Sequence, residues 1–240
     1  MSEGTITMRP SGRFRFAEGR TLDWRGHASS IAARAVTTVY RRMLCLVYPL
    51  QGRSIPVYRS QIDVDFRVLT KGDVNAYVQF RPKHGREDFE RRLARGDRCF
   101  ASWHEGRIVD AGWAATGAVF VPYLGRYILL EPGDIYSYGA YTLPDYRGYG
   151  LYMSRNSYTA RRNQKEGFER SVALVAPENY AAWLILTRSG LETIGEYAHV
   201  RLPVGGLWWD HAVPGRTLPK LGSDPREGEA RSTNKPGAAA

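Results

Sequence analysis

The pattern of apolar and polar positions changes character several times along the chain. In residues 29–50, Ser29 or Ser30 stands as a cap before apolar positions Ile31, Ala35, Val39 and Met43, with Val36, Tyr40 and Leu44 alongside. This spacing predicts an amphipathic helix ended by Pro49, with Arg34, Arg41 and Arg42 largely off the stripe. Residues 51–62 read as a connection. Positions 66–69 alternate as a strand and end in the turn at 71–73. Residues 74–95 have helical spacing, with Phe80, Phe89 and Leu93 as anchors. Segments 98–104 and 107–116 read as strands about the turn Glu105-Gly106, and a third strand covers 134–142 after the turn at 131–134. A polar-faced helix over 150–166, a strand over 171–175, a helix over 179–189 stopped by Gly190 and a strand over 192–202 complete the pattern. Strands and helices alternate only in the second half. The expected fold is therefore α/β in the broad sense (α+β), a mixed, mostly antiparallel central sheet flanked by helices. The expected organisation is a basic N-terminal extension (1–62), a folded domain (63–213) and a tail (214–240) rich in Pro, Gly and charge that reads as disordered.

Composition sharpens this reading in two places. With 43% hydrophobic and 24% charged residues in 240, the chain can build a core. No run of roughly 18 apolar residues occurs, and no apolar stretch follows the charges at the N-terminus, so neither a spanning helix nor a secretory signal is expected. A cytoplasmic chain is the default. Two cysteines, Cys45 and Cys99, cannot form a disulfide framework. Five scattered histidines have no metal spacing, so no metal is expected. The net charge of +10 is uneven: residues 1–62 carry +7. That excess, with the predicted helix, suggests peripheral contact of residues 29–50 with the anionic inner face of a membrane. The alternative is a helix that buries its stripe on its own domain. No nucleic-acid motif accompanies the charge, and no nucleic-acid partner is expected. Trp208 and Trp209 could line an entrance or cover a sheet edge.

The chemistry concentrates at residues 141–152, where a strand runs through an Arg/Gly loop into a helix. Glycines let a backbone approach a ligand closely, and the first N–H groups of a helix attract anions. Arg147, Gly148, Tyr149, Gly150 and Leu151 therefore make a phosphate cradle. The stretch Pro144-Asp145-Tyr146-Arg147-Gly148-Tyr149-Gly150 resembles the pyrophosphate loop of the GNAT superfamily of acyl-CoA-dependent N-acyltransferases. Tyr152 departs from that pattern, which has a small residue there. A second resemblance follows about thirty residues on: Asn179, Ala182 and Gly190-Leu191 after the strand at 171–175.

The resemblance covers roughly residues 64–202. It implies acetyl-CoA or another acyl-CoA as co-substrate, and transfer of the acyl group to a small-molecule amine or peptide acceptor. It assigns Thr142 and Leu143 as the backbone donors to the thioester oxygen, and Asn179 to the pantetheine arm. The family's acid, a Tyr seven residues after the Asn, is replaced by Leu186. The positions that usually carry the base are Tyr136 and Tyr138, with Glu131 and Asp134 able to act through water. These tyrosines can equally be packing aromatics of a strand. The missing groups keep a second reading open, a non-catalytic acyl-CoA-binding or membrane-surface interaction protein on the same fold.

Overall fold

The computed structural model describes residues 40–201 and 206–223. An eight-stranded sheet, in the order β10-β9-β1-β8-β7-β4-β3-β2, forms its centre, and a three-stranded sheet, β11-β6-β5, packs on it. The strands are β1 (Tyr40–Pro49), β2 (Asp65–Val68), β3 (Arg98–His104), β4 (Arg107–Ala115), β5 (Ala118–Val121), β6 (Arg126–Leu129), β7 (Asp134–Thr142), β8 (Arg170–Val175), β9 (Glu192–Arg201), β10 (Gly206–Ala212) and β11 (Lys220–Gly222). The helices are α1 (Val74–Phe80), α2 (Gly85–Ala94), α3 (Leu151–Lys165) and α4 (Tyr180–Arg188). The expected fold class stands: every pairing in the large sheet is antiparallel except β7 with β8.

Each face of the large sheet is covered twice. On one face α1 and α2 bury Tyr77, Phe80 and Phe89 against Trp113 of β4, whose indole N–H donates to the Tyr77 hydroxyl at 2.9 Å. The small sheet covers the rest of that face, with Val119, Leu124 and Ile128 packed on Cys45, Val172 and Tyr197. On the other face α3 lies over β3, β4 and β7, and α4 packs Leu186 on Leu46, Ala173 and Val175. The stop predicted at Gly190 is realised: its φ is +89°, its N–H donates to Thr187 O at 3.0 Å, and the next N–H reaches back to Leu186 O at 3.1 Å.

Three expectations need correction. The helix predicted to run to Pro49 is strand from Tyr40 on, inserted between β8 and β9. Met43, Cys45 and Val47 point to one core and Leu46 to another. An apolar run that is buried on both faces has no polar side to mark its period, so helix and strand look alike. The 1–62 boundary therefore cuts through the sheet, and most of residues 43–50 are buried in it; residues 29–39 lie outside the described residues. The segment read as one helical stretch over 74–95 breaks at Arg81 and the 3₁₀ turn Pro82–His84 into α1 and α2, because Pro82 cannot continue a helix. The tail beginning at 214 is ordered at its start: Leu218 is buried, the Tyr197 hydroxyl donates to Pro219 O at 2.6 Å, and β11 pairs with β6. The hairpin of β5 and β6, and β10, were not predicted.

Candidate functional site

The parallel pairing of β7 with β8 is short. It runs from Asp134 opposite Arg170 to Tyr136 opposite Val172 and stops there. Beyond it the two strands splay: β7 stays on β4, and β8 stays on β1. Gly139 and Ala140 are consequently exposed although β7 lies in the middle of the sheet. A bulge falls at the same place, where three steps of β7 oppose two of β4 between Ala111 and Trp113, with Gly139 at φ +62°.

The loop lies beyond the open end of the splay. Leu143 leads into a 3₁₀ turn, Pro144–Tyr146, and then Arg147 and Gly148 (φ +91°). Gly150 (φ +77°) is the residue before α3. No side chain caps α3 and no acid lies in its first turn, so its leading N–H groups keep their affinity for an anion. A Cβ on Gly148 would meet nothing within 4 Å, so a ligand can come up to the backbone. The loop is braced from a segment the sequence left as a connection. Gln61 N–H donates to Tyr149 O at 2.9 Å, and its side chain reaches Gly148 O at 3.4 Å. These features fit a pyrophosphate. Tyr152 turns sideways under α3 into the core shared with Leu46 and Val175, so its bulk does not enter the cradle; burial pushes its hydroxyl pKa up.

At the end of β7 the two candidate backbone donors separate. Leu143 N–H donates to Val109 O at 3.0 Å and is spent. Thr142 stands opposite Asp110, one place along the ladder, so alternation points its N–H and C=O away from β4, to the side where β8 has left. Its carbonyl accepts from Arg147 Nε at 3.4 Å. Thr142 is the donor that faces the opening; Leu143 is not.

The acid–base expectations do not survive as stated. Tyr136 is fully packed in the core and stacked on Tyr138 at 5.5 Å, and burial drives its pKa up. The Tyr138 hydroxyl donates to Asp97, a buried carboxylate held by Arg95, and the Arg92 guanidinium lies 5.3 Å from its ring. Burial and then Asp97 raise its pKa, so it holds its proton. Asp134 is bound bidentately by Arg170 Nε at 2.5 Å and Nη2 at 3.0 Å, and accepts from Glu131 N–H at 3.3 Å. Asp134 opens β7, about 26 Å of extended chain from Thr142, and Glu131 lies in the turn before it, farther still. Glu131 is exposed there, and Asp134 is structural. Across the opening, Asn179 caps α4 through its side-chain oxygen, which accepts from Ala182 N–H at 3.3 Å, and its amide NH₂ is left to donate elsewhere. Ala182 packs against the core of Leu46, Ala173, Val175 and Leu186. Burial pushes the Cys45 thiol up to about 12 and Cys99 higher still, which removes both as nucleophiles. A groove of about 700 Å³ lies elsewhere, lined in part by Arg126, Trp208 and Leu221. There Trp208 stacks on His199 at 4.4 Å and donates to Leu124 O at 2.8 Å, joining the edge of the large sheet to the small one.

No protein-family model matches the sequence, and no curated protein does. Solved structures do. An acetyltransferase of the GNAT family from Colwellia psychrerythraea is 13% identical, over 76% of this chain and 62% of that one, with a TM-score of 0.48. A protein from Novosphingobium aromaticivorans assigned to the GNAT family is 15% identical, over 66% and 62%, with a TM-score of 0.47. The aminoglycoside N-acetyltransferase AAC(6')-Iy, in complex with CoA, is 17% identical, over 53% and 91%, with a TM-score of 0.43. At these identities the likeness is one of outline and says nothing of individual residues. The chain covers about three fifths of the length of the first structures it matches.

Proposed function

We propose that this chain is an acyl-CoA-dependent N-acyltransferase that moves an acetyl or other acyl group directly to a primary amine of a small molecule or peptide. The observation that carries this is the parallel pair β7 and β8, which opens after Tyr136 and Val172 in front of an uncapped helix start at Gly150. An extended thiol arm fits such an opening, with its diphosphate on the N–H groups of 148–152 beside Arg147. The amine attacks the thioester carbonyl and forms the C–N bond. The oxygen that gains charge is met by Thr142 N–H. Collapse breaks the C–S bond, and CoA leaves as a thiolate, tolerable near neutrality for a thiol of pKa about 8.5. The amine's proton passes to solvent, which reaches the exposed Gly139 and Ala140.

CoA binding tests this. A ligand at a hundredfold excess over its Kd adds about 2.7 kcal/mol to the folded state and raises Tm by a few degrees. CoA and acetyl-CoA should both do so. Arg147→Glu changes an exposed side chain and should weaken CoA at least tenfold with no change in the Tm of the unliganded protein. Absence of any shift at millimolar ligand overturns the proposal. A second reading, a CoA-binding module without turnover, is favoured by the engagement of Tyr138 with Asp97 and by buried Leu186 where the family's acid would stand. CoA binding with no thiol release across an amine panel would select it.

A further inference from the structure

Asp110 is the one carboxylate in the apolar run of β4, and it is fully buried. Its Oδ1 accepts from the Thr142 hydroxyl at 2.7 Å, and its Oδ2 from Arg155 Nε at 2.5 Å and Ser102 Oγ at 3.5 Å. Arg155 is also buried, and it belongs to α3, the helix whose start would take the diphosphate. It lies flat on Gly112: a Cβ there would stand 2.6 Å from its Nη1. Its Nη1 donates to Asn156 Oδ1 at 3.1 Å, and its buried Nη2 has no partner. As a source of stability this pair is a poor choice, because stripping two charges of water offsets their attraction, and apolar groups of equal volume would serve at least as well. What the pair adds is direction. Asp110 can satisfy Thr142 and Arg155 together only when strand end and helix hold one relative position. The ladder with β4 holds Thr142 on one side only, because the ladder with β8 ends six residues earlier, at Tyr136, so the position of the strand end against α3 is left to side chains.

We infer that Asp110 and Arg155 are positioning residues: the β4 ladder turns the Thr142 N–H outward, and through the Thr142 hydroxyl the pair fixes that strand end against the phosphate-binding start of α3. This rests on the acyl-CoA reading above. Misplacing a reacting centre by about 1 Å costs on the order of a hundredfold in rate, whereas phosphate binding by loop and helix is untouched.

Three variants test it: Thr142→Val, Thr142→Ser and the apolar double replacement Asp110→Leu with Arg155→Met. The readouts are Tm, the calorimetric Kd for CoA, and thiol release from acetyl-CoA with a panel of primary amines, resolved into kcat and KM. The double variant should melt within a few degrees of the parent and bind CoA within threefold, but lose at least tenfold in kcat with an unchanged KM for acetyl-CoA. Thr142→Val should behave likewise, and Thr142→Ser, which keeps the hydroxyl, should retain at least half the parental kcat. Parental kcat in Thr142→Val overturns the inference, and it decides alone if the double variant does not fold. A parent that binds CoA without releasing thiol overturns the inference while sparing CoA binding. A parent that binds no CoA overturns both.

Discussion

The two ends of β7 each carry a carboxylate–arginine pair. At the start, Asp134 and Arg170 face each other across the parallel ladder, and the Arg170 side chain is 27% exposed and reaches on to Thr217 O at 3.3 Å. At the end, Asp110 and Arg155 join a strand to a helix with side-chain exposures of 0% and 4%. In the first case backbone hydrogen bonds already fix the geometry and the ion pair reinforces it. In the second case the ladder with β4 continues but the side toward β8 is open, and the buried pair braces the strand end against α3. Function in a sheet is to be sought where a strand is paired on one side only and side chains of high desolvation cost brace the other.

The comparison can be broken at its larger side first. Asp110→Ala would leave Arg155 as an uncompensated buried cation, and urea unfolding should show a loss of about 3–5 kcal/mol. A loss below about 1 kcal/mol would mean that water reaches Arg155 and the two ends are alike. Asp134→Ala should cost about 1–2 kcal/mol, discounted because Arg170 can turn to solvent, and should leave CoA affinity unchanged. A loss exceeding that of Asp110→Ala would reverse the comparison. The smallest effect lies at the far edge of the sheet, outside both pairs. Burial, then Arg41, Arg126 and Arg201, hold the His199 imidazole below its usual pKa. As pH falls below about 6.5 the unfolded chain takes up a proton that the folded one refuses, so stability declines from there toward the lower folded value and is unaffected above it. The urea midpoint should therefore fall more between pH 7 and pH 5 in the parent than in His199→Gln; equal slopes would remove His199 as the cause.

Much of the site was legible because its chemistry is local. Asp145-Tyr146-Arg147-Gly148 and the glycines at φ +91° and +77° announce a loop that no other residues would tolerate. Asn179 and Gly190 likewise mark the two ends of α4 from their own neighbourhood. The acid–base assignments were not legible. Tyr138 is a plausible base until Asp97, 41 residues away, takes its hydroxyl, and Asp134 until Arg170 does the same. Asp110 carries a signal of its own: it is a lone acid in the run Ile-Val-Asp-Ala-Gly-Trp, and a charge in a strand so apolar has to be paired.

The turns, the helix stops, the glycine loop and the existence of the strands β2, β3, β4 and β7 were written in the sequence, since each depends on backbone preferences within a few residues. Tertiary structure decided that residues 40–49 are a central strand, that β7 and β8 part after three residues, and that Thr142 rather than Leu143 turns its N–H to the opening. Those outcomes depend on which segments pair across tens of residues to more than a hundred, and a run that is apolar on every side carries no local mark of its partner.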